Sequence, residues 1–324
     1  MTFKLQTLAL ATGLALLALL SLKLAAAPGE GKAAPDYFRA APHLAVPTKA
    51  PIYAATKSGD RTVAVGDYGF VIYTDDGERF VQGDVPTRAP LTSVFFLDAQ
   101  RGWSAGHDGT VIATVDGGKT WKVLREMRGH DQVLMGIWFA DAERGLAVGQ
   151  FGLALETRDG GKTWSERQLV DGEAGERHLL SIVPGRDGLL LVAAEAGTVL
   201  RSTDAGLSWQ AIQTDNKGSF WTGAELADGS LLLGGMRGHL YRSTDRGEHW
   251  NHLVSGTQQS LTGIAQRADG VVRVVGLAGT TLLSKDGGQH FETIVRPDRL
   301  AVTAIVPQAK GELLFSAVGM VVRE

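Results

Sequence analysis

One short box recurs six times along the chain, and its spacing constrains the fold more than any other feature. Aligned on an aspartate, the first three copies are Tyr73-Thr-Asp75-Asp-Gly77-Glu-Arg-Phe80, Thr114-Val-Asp116-Gly-Gly118-Lys-Thr-Trp121 and Thr157-Arg-Asp159-Gly-Gly161-Lys-Thr-Trp164. The next three are Ser202-Thr-Asp204-Ala-Gly206-Leu-Ser-Trp209, Ser243-Thr-Asp245-Arg-Gly247-Glu-His-Trp250 and Ser284-Lys-Asp286-Gly-Gly288-Gln-His-Phe291. The aspartates lie 41, 43, 45, 41 and 41 residues apart. A period in the low forties, filled with short alternating strands and glycine turns, is the size of one four-stranded propeller blade. A second mark, a glycine opening the strand before each box, occurs at Gly69, Gly109, Gly152, Gly197, Gly238, Gly279 and Gly319. Seven such glycines predict an all-β, seven-bladed propeller of four-stranded antiparallel blades. Six blades with a loose tail is the alternative.

The marker glycine stands seven residues before its aspartate in five blades and six before in the first, so a seventh box aspartate is expected near position 326, beyond Glu324. The last blade then has strands at 302–307, 312–318 and 320–323 and lacks its fourth, and an open blade edge leaves backbone groups unpaired. One period before Asp75 lies Asp36-Tyr37-Phe38, so residues 36–46 are expected to supply the outer strand and close the ring. In the second blade, strands are predicted over 91–97, 101–106, 110–114 and 119–124, because apolar residues alternate and β-branched residues abound. The box aspartate and the Ser or Thr before it can accept amide hydrogen bonds in the turn, while the ring three residues past the glycine returns to pack between blades. Asp75, Asp116, Asp159, Asp204, Asp245 and Asp286, with Trp121, Trp164, Trp209 and Trp250, are thus read as structural staples.

Ahead of the propeller, Lys4 precedes an uncharged run from Leu5 to Leu22, and Ala25, Ala26 and Ala27 lead into Pro28. That is the layout of a secretory signal. Proline after the expected cut keeps an uncleaved membrane anchor as the alternative, since about 18 apolar residues can just span a bilayer. Residues 1–27 are therefore expected to be a signal peptide or anchor, 28–35 a linker and 36–324 the propeller, with the protein exported to a periplasm or lumen. The 42 glycines, about twice the usual ~7%, imply many tight turns. Cysteine is absent, which excludes disulfides, thiolate metal sites, cysteine nucleophiles and a lipid-modified N-terminal cysteine. A net charge of −3 argues against nucleic acid as a partner.

Several segments imitate active-site motifs. Gly117-Gly118-Lys119-Thr120 and Gly160-Gly161-Lys162-Thr163 end like phosphate-binding loops, but Ala113 and Glu156 stand where that loop needs its first glycine. Asp75-Asp76-Gly77 begins like a calcium loop, yet its twelfth position is Pro86 rather than glutamate. His249 and His252 are an odd number of residues apart and so fall on opposite faces of a strand. Aspartate boxes also occur in sialidases, which need three arginines, a tyrosine nucleophile and an acid. Tyr68 is the one tyrosine expected in a turn, and Phe38-Arg39-Ala40-Ala41-Pro42 carries one residue too many for the sialidase signature. No catalytic residue, cofactor or metal is expected; a sialidase-like or other glycoside hydrolase is the alternative.

The repeated unit, an apolar first strand, then Gly-Trp-Ser-Ala-Gly or Gly-Leu-Ala-Val-Gly, then Gly-x-x-x-x-Thr-x-Asp-Gly-Gly-Lys-Thr-Trp, resembles the photosystem II stability and assembly factor family of plastids and cyanobacteria. The likeness covers about residues 36–324. It implies a seven-bladed propeller on the lumenal or periplasmic side, acting without catalysis as an assembly factor that binds a membrane-protein precursor. Relatives occur in non-photosynthetic bacteria, and the absent lipid-attachment cysteine departs from the cyanobacterial pattern.

A binding role also follows from the propeller itself. Connections between blades and turns between second and third strands share one face, opposite the boxes. The connections offer Arg88, Arg128 with His130, Arg177 with His178, Lys217 and Arg299, and the turns add Tyr68, His107, Phe151 and Arg237. This face is expected to be basic with aromatic members and to bind an acidic or polar segment of an integral membrane protein.

Overall fold

The computed structural model describes residues 39–319 and 321–324. The signal or anchor at 1–27, the linker at 28–35 and the start of the expected closing strand at 36–38 lie outside them. Among the described residues no helix is long and apolar enough to cross a membrane.

Seven antiparallel sheets follow one another along the chain, each ordered as its strands occur in sequence. They span residues 52–82, 91–125, 134–166, 179–213, 220–253, 261–295 and 304–323. The first strand of every sheet contacts the first strand of the next, and that of the seventh contacts that of the first, so the sheets form a closed ring of blades. In the second blade the strands are Leu91–Phe96, Gly102–Gly106, Val111–Thr114 and Lys122–Arg125, within two or three residues of the sequence expectation.

The marker glycine has a double reason. In all seven blades it sits in the left-handed region, between +56° and +75°, which glycine enters without strain. A Cβ at Gly69, Gly197, Gly238 or Gly319 would also lie only 2.1–2.2 Å from the carbonyl oxygen of Thr87, Asn216, Thr257 or Lys49. Each turn is thus roofed by the connection that leaves its blade, and Gly319 shows that residues 47–50 do this for the seventh.

Apolar cores fill the spaces between neighbouring blades. Trp121 packs with Val63, Val71 and Leu91 between the first two, and Trp164, Trp209, Trp250 and Phe291 occupy equivalent places further round. Phe80 sits between the seventh blade and the first. Each box ring therefore packs against the preceding blade. Between the sixth and seventh blades no box ring is present among the described residues. There Glu312, 0% exposed, lies 3.2 Å from the Arg273 guanidinium.

Two expectations are corrected. The seventh sheet has three strands among the described residues, and 39–46 forms none. That segment instead follows the first blade: the Ala41 amide donates to the Val85 carbonyl at 2.9 Å and the Leu44 amide to Gln82 Oε1 at 2.9 Å. Ring closure rests on the Ile52 amide donating to the Ser316 carbonyl at 3.0 Å and the Thr303 hydroxyl to the Ile52 carbonyl at 2.7 Å. The second correction concerns the first box, whose working aspartate is Asp76, not Asp75. Asp76 Oδ1 accepts the Thr74 hydroxyl at 3.1 Å and the Glu78 and Arg79 amides at 2.8 Å, while Asp75 forms a two-pronged ion pair with Arg61. Counted from Asp76, the marker glycine is seven residues away, as in the other blades.

The remaining boxes share one wiring. Asp116 Oδ1 takes the Thr114 hydroxyl at 2.8 Å and the Lys119 and Thr120 amides at 3.1 and 2.9 Å, and Oδ2 takes the Thr120 hydroxyl at 2.7 Å. Trp121 Nε1 then donates to the Gly118 carbonyl at 3.1 Å. Hydrogen bonds from the Thr163 and Ser208 hydroxyls, then from backbone amides, hold Asp159 and Asp204 down to about 2. Their unfolded value is about 3.9, so these carboxylates bind fewer protons folded than unfolded below that pH. Their stabilisation is complete above about pH 4 and is lost as pH falls through about 2. Denaturation midpoints should accordingly drop between those pH values, and Asp204→Asn should flatten the drop. Parallel wild-type and variant curves would contradict this wiring.

Candidate functional site

The turns joining second to third strands and the connections between blades do share one face. The Gly109, Gly152 and Gly197 amides donate to the Gln132, Arg177 and Gly218 carbonyls at 2.8, 2.9 and 2.7 Å, tying each turn to the connection above it. In six of the seven blades the residue before the marker glycine is also left-handed: Tyr68, Asp108, Phe151, Ala196, Arg237 and Ala278, at +51° to +56°. Bulky side chains are costly in that conformation. Tyr68 and Phe151 nevertheless occupy it with 53% and 74% of their surfaces exposed. In the second blade the position belongs to Asp108, one residue after the sequence-chosen His107, which is exposed beside it.

Around Phe151 the face is organised. Its amide donates to His178 Nδ1 at 2.8 Å, and the two rings meet with centres 4.5 Å apart. A cavity of about 410 Å³ adjoins, lined by Asp131, Gln150 and Arg167 among others.

Charge is divided across this face, which is not uniformly basic. Arg128 pairs with Glu126 at 2.5 Å, Arg177 pairs with Glu173, and Arg88 donates to the Ala40 carbonyl at 3.0 Å. Acidic Asp131 stands in the same connection as Arg128 and His130, Asp171 and Glu176 in that of Arg177, and Asp108 and Glu195 in turns of this face. Further round, Lys217, Arg237 and Arg299 are exposed and form no ion pair with the described residues. The sequence names the cations, but which of them a neighbouring carboxylate holds depends on loop conformation.

The ring centre has a different character. In six blades a bulge near the start of the first strand shifts the register, as between Ile52 and Ala54 or Leu91 and Ser93. Bulges re-aim side chains, and here Tyr53, Thr92, Met135, Leu180, Trp221 and Thr262 line a central cavity of about 240 Å³. Ala, Ser, Thr, Gly and Ile complete that lining, with no carboxylate or arginine in it. The Gly-Gly-Lys-Thr segments lie in box turns that lead into strands, not helices.

Residues 127–273, less than half of the chain, match the family model described as photosynthesis system II assembly factor YCF48. Over those residues the chain is similar to that family's repeat. Two solved YCF48 propellers share the fold. One, described as YCF48 bound to D1 peptide, is 20% identical over 86% of this chain and 94% of its own, with a TM-score of 0.69. The other, YCF48 from Cyanidioschyzon merolae, is 15% identical over 88% of this chain and 98% of its own, with a TM-score of 0.66. No curated protein matches the sequence.

Proposed function

We propose that this protein is an exported, non-catalytic assembly or stability factor that holds an exposed acidic or polar segment of an integral membrane protein on the face built from its turns and connections. The observation that carries the reading is that a solved propeller of the YCF48 family, alike over most of both chains, is bound to a D1 peptide. Lys217, Arg237 and Arg299 offer exposed cations to carboxylates of such a segment, and Tyr68 and Phe151 offer exposed rings on the same face. Rim charges of this kind set partner choice and association rate more than raw affinity.

Affinity co-purification from solubilised membranes tests this. Wild type is expected to recover one integral membrane protein, and a variant with Lys217→Glu, Arg237→Glu and Arg299→Glu to recover at least about tenfold less, the loss for a few close charge pairs. Equal recovery by both, or no specific partner, would overturn the reading. Export is checked by fractionation, with deletion of residues 1–27 expected to leave the protein in the cytoplasm.

A further inference from the structure

The end of the ring that holds the box turns, opposite the partner face, carries a pocket that the box wiring does not use. In four successive joints the carbonyl of the residue after the box aspartate accepts a hydrogen bond from the preceding blade. Arginine supplies it in three of them: Arg61 to Gly117 at 3.0 Å, Arg144 to Ala205 at 3.0 Å and Arg201 to Arg246 at 2.7 Å. Between the second and third blades the donor is instead the Trp103 indole, 3.1 Å from the Gly160 carbonyl. Its ring stacks on Phe139, with centres 3.7 Å apart and planes 10° from parallel.

That exchange leaves space. Ala113, immediately before the box residue Thr114, is the smallest residue at its position in the six boxes; the others are Tyr73, Glu156, Arg201, Arg242 and Leu283. A cavity of about 570 Å³ opens there, with Trp103, Ala113, Val115 and Leu124 as its apolar lining. Small-molecule sites span about 300–1,000 Å³ and pair such a lining with a few polar groups. Lys122 and Lys162 also line the cavity, exposed and without an ion pair to the described residues. Arg101 and Arg158 are committed elsewhere, to Asp98 at 2.6 Å and Glu156 at 3.4 Å. Of the two carboxylates in the lining, Asp159 takes the Thr157 and Thr163 hydroxyls of its own box at 2.9 and 2.6 Å. Glu143 is exposed and forms no ion pair with the described residues. Two free lysines against one free glutamate leave one positive charge unanswered.

We propose that this pocket binds a small soluble amphiphilic anion, an apolar body carrying a single carboxylate or sulfonate head. The body replaces water against the Trp103, Val115 and Leu124 side chains. The head meets the ammonium groups of Lys122 and Lys162, whose flexible stems can close over it. The site does not depend on the partner-binding reading, since none of its residues belongs to the turns and connections of that face.

Fluorescence titration with anilinonaphthalene sulfonate, whose emission rises when it leaves water, tests the assignment. Wild type is expected to saturate at one dye per chain. Replacing both lysines, Lys122→Glu with Lys162→Glu, should weaken binding at least about tenfold, the loss for a charged hydrogen bond. Val115→Asp places a carboxylate at an exposed position of the apolar lining and should weaken it as much. Ala113→Arg supplies the side chain that the fourth and fifth blades carry there, and should abolish binding by filling the space. Thermal midpoints of the lysine and Val115→Asp variants should match wild type, so that lost binding reports the site and not the fold. Absence of saturable binding or equal affinity in these variants would overturn the assignment. So would equal affinity for phenylnaphthylamine, which lacks the sulfonate, or capture by phosphatidylglycerol vesicles with the same lysine dependence.

Discussion

Replacing Trp121 by alanine is expected to destabilise the propeller by about 3–5 kcal/mol, the usual loss when a buried aromatic core residue is truncated. The side chain is 4% exposed, meets the Phe96 ring edge-on with centres 6.1 Å apart, and packs against Val63 and Val71 of the preceding blade and Leu91 of its own. Three contributions disappear together: apolar burial, the aromatic pair, and the hydrogen bond that ties the ring back to its own turn. Trp121→Phe keeps the first two and loses the third, so it should cost about 1 kcal/mol. Trp209→Ala should cost less than Trp121→Ala because that ring is only partly buried. Denaturant unfolding of the three variants checks the order. A loss below 1 kcal/mol for Trp121→Ala would mean that the box serves its own turn and not the joint between blades.

The second large effect is expected at the joint between the last two blades. Arg273→Leu leaves the Glu312 carboxylate buried without its cation, which typically costs about 3–5 kcal/mol. Burial already raises the Glu312 pKa, with Arg273 as the main opposing influence, and neither carboxylate oxygen is well aligned for a hydrogen bond. A carboxyl whose folded pKa is raised contributes stability that is fully present below its unfolded value, about 4.3, and lost as pH rises through the folded value. The defect of Arg273→Leu should therefore be large at neutral pH and shrink on acidification. Adding Glu312→Leu should restore most of the stability, because an apolar pair of similar volume replaces a buried ion pair at little cost. Equal defects in the single and double variants would show that Arg273 acts through Glu324, its other partner, instead.

Much of the architecture was legible because a repeat reports its own period. The six boxes and seven marker glycines located the blades, and the box rings proved to be the pieces packed between them. The first box was misread by one residue because two aspartates stand side by side there. The glycine spacing of six instead of seven was the signal that Asp76, not Asp75, completes the turn. The closing strand was inferred from the period alone, whereas residues 40–44 hydrogen-bond along the first blade. The turns and connections do share one face, but its balance of charge is not the basic one expected. Glu126 and Glu173 sit in the same connections as the arginines they hold, and nothing in their spacing ranks one pairing above another.

The joint without an aromatic ring gives the circle a preferred direction of opening. Were all joints alike, the first break could occur anywhere with equal chance. Six of them interlock an aromatic ring into a neighbouring sheet, and the seventh, among the described residues, has an aliphatic core beside the Arg273–Glu312 pair and no box ring. Released there, the molecule becomes a linear stack of units, each supported only by its nearest neighbours. The blades at the two free ends are then the first to fray, while the middle of the stack keeps its full complement of contacts.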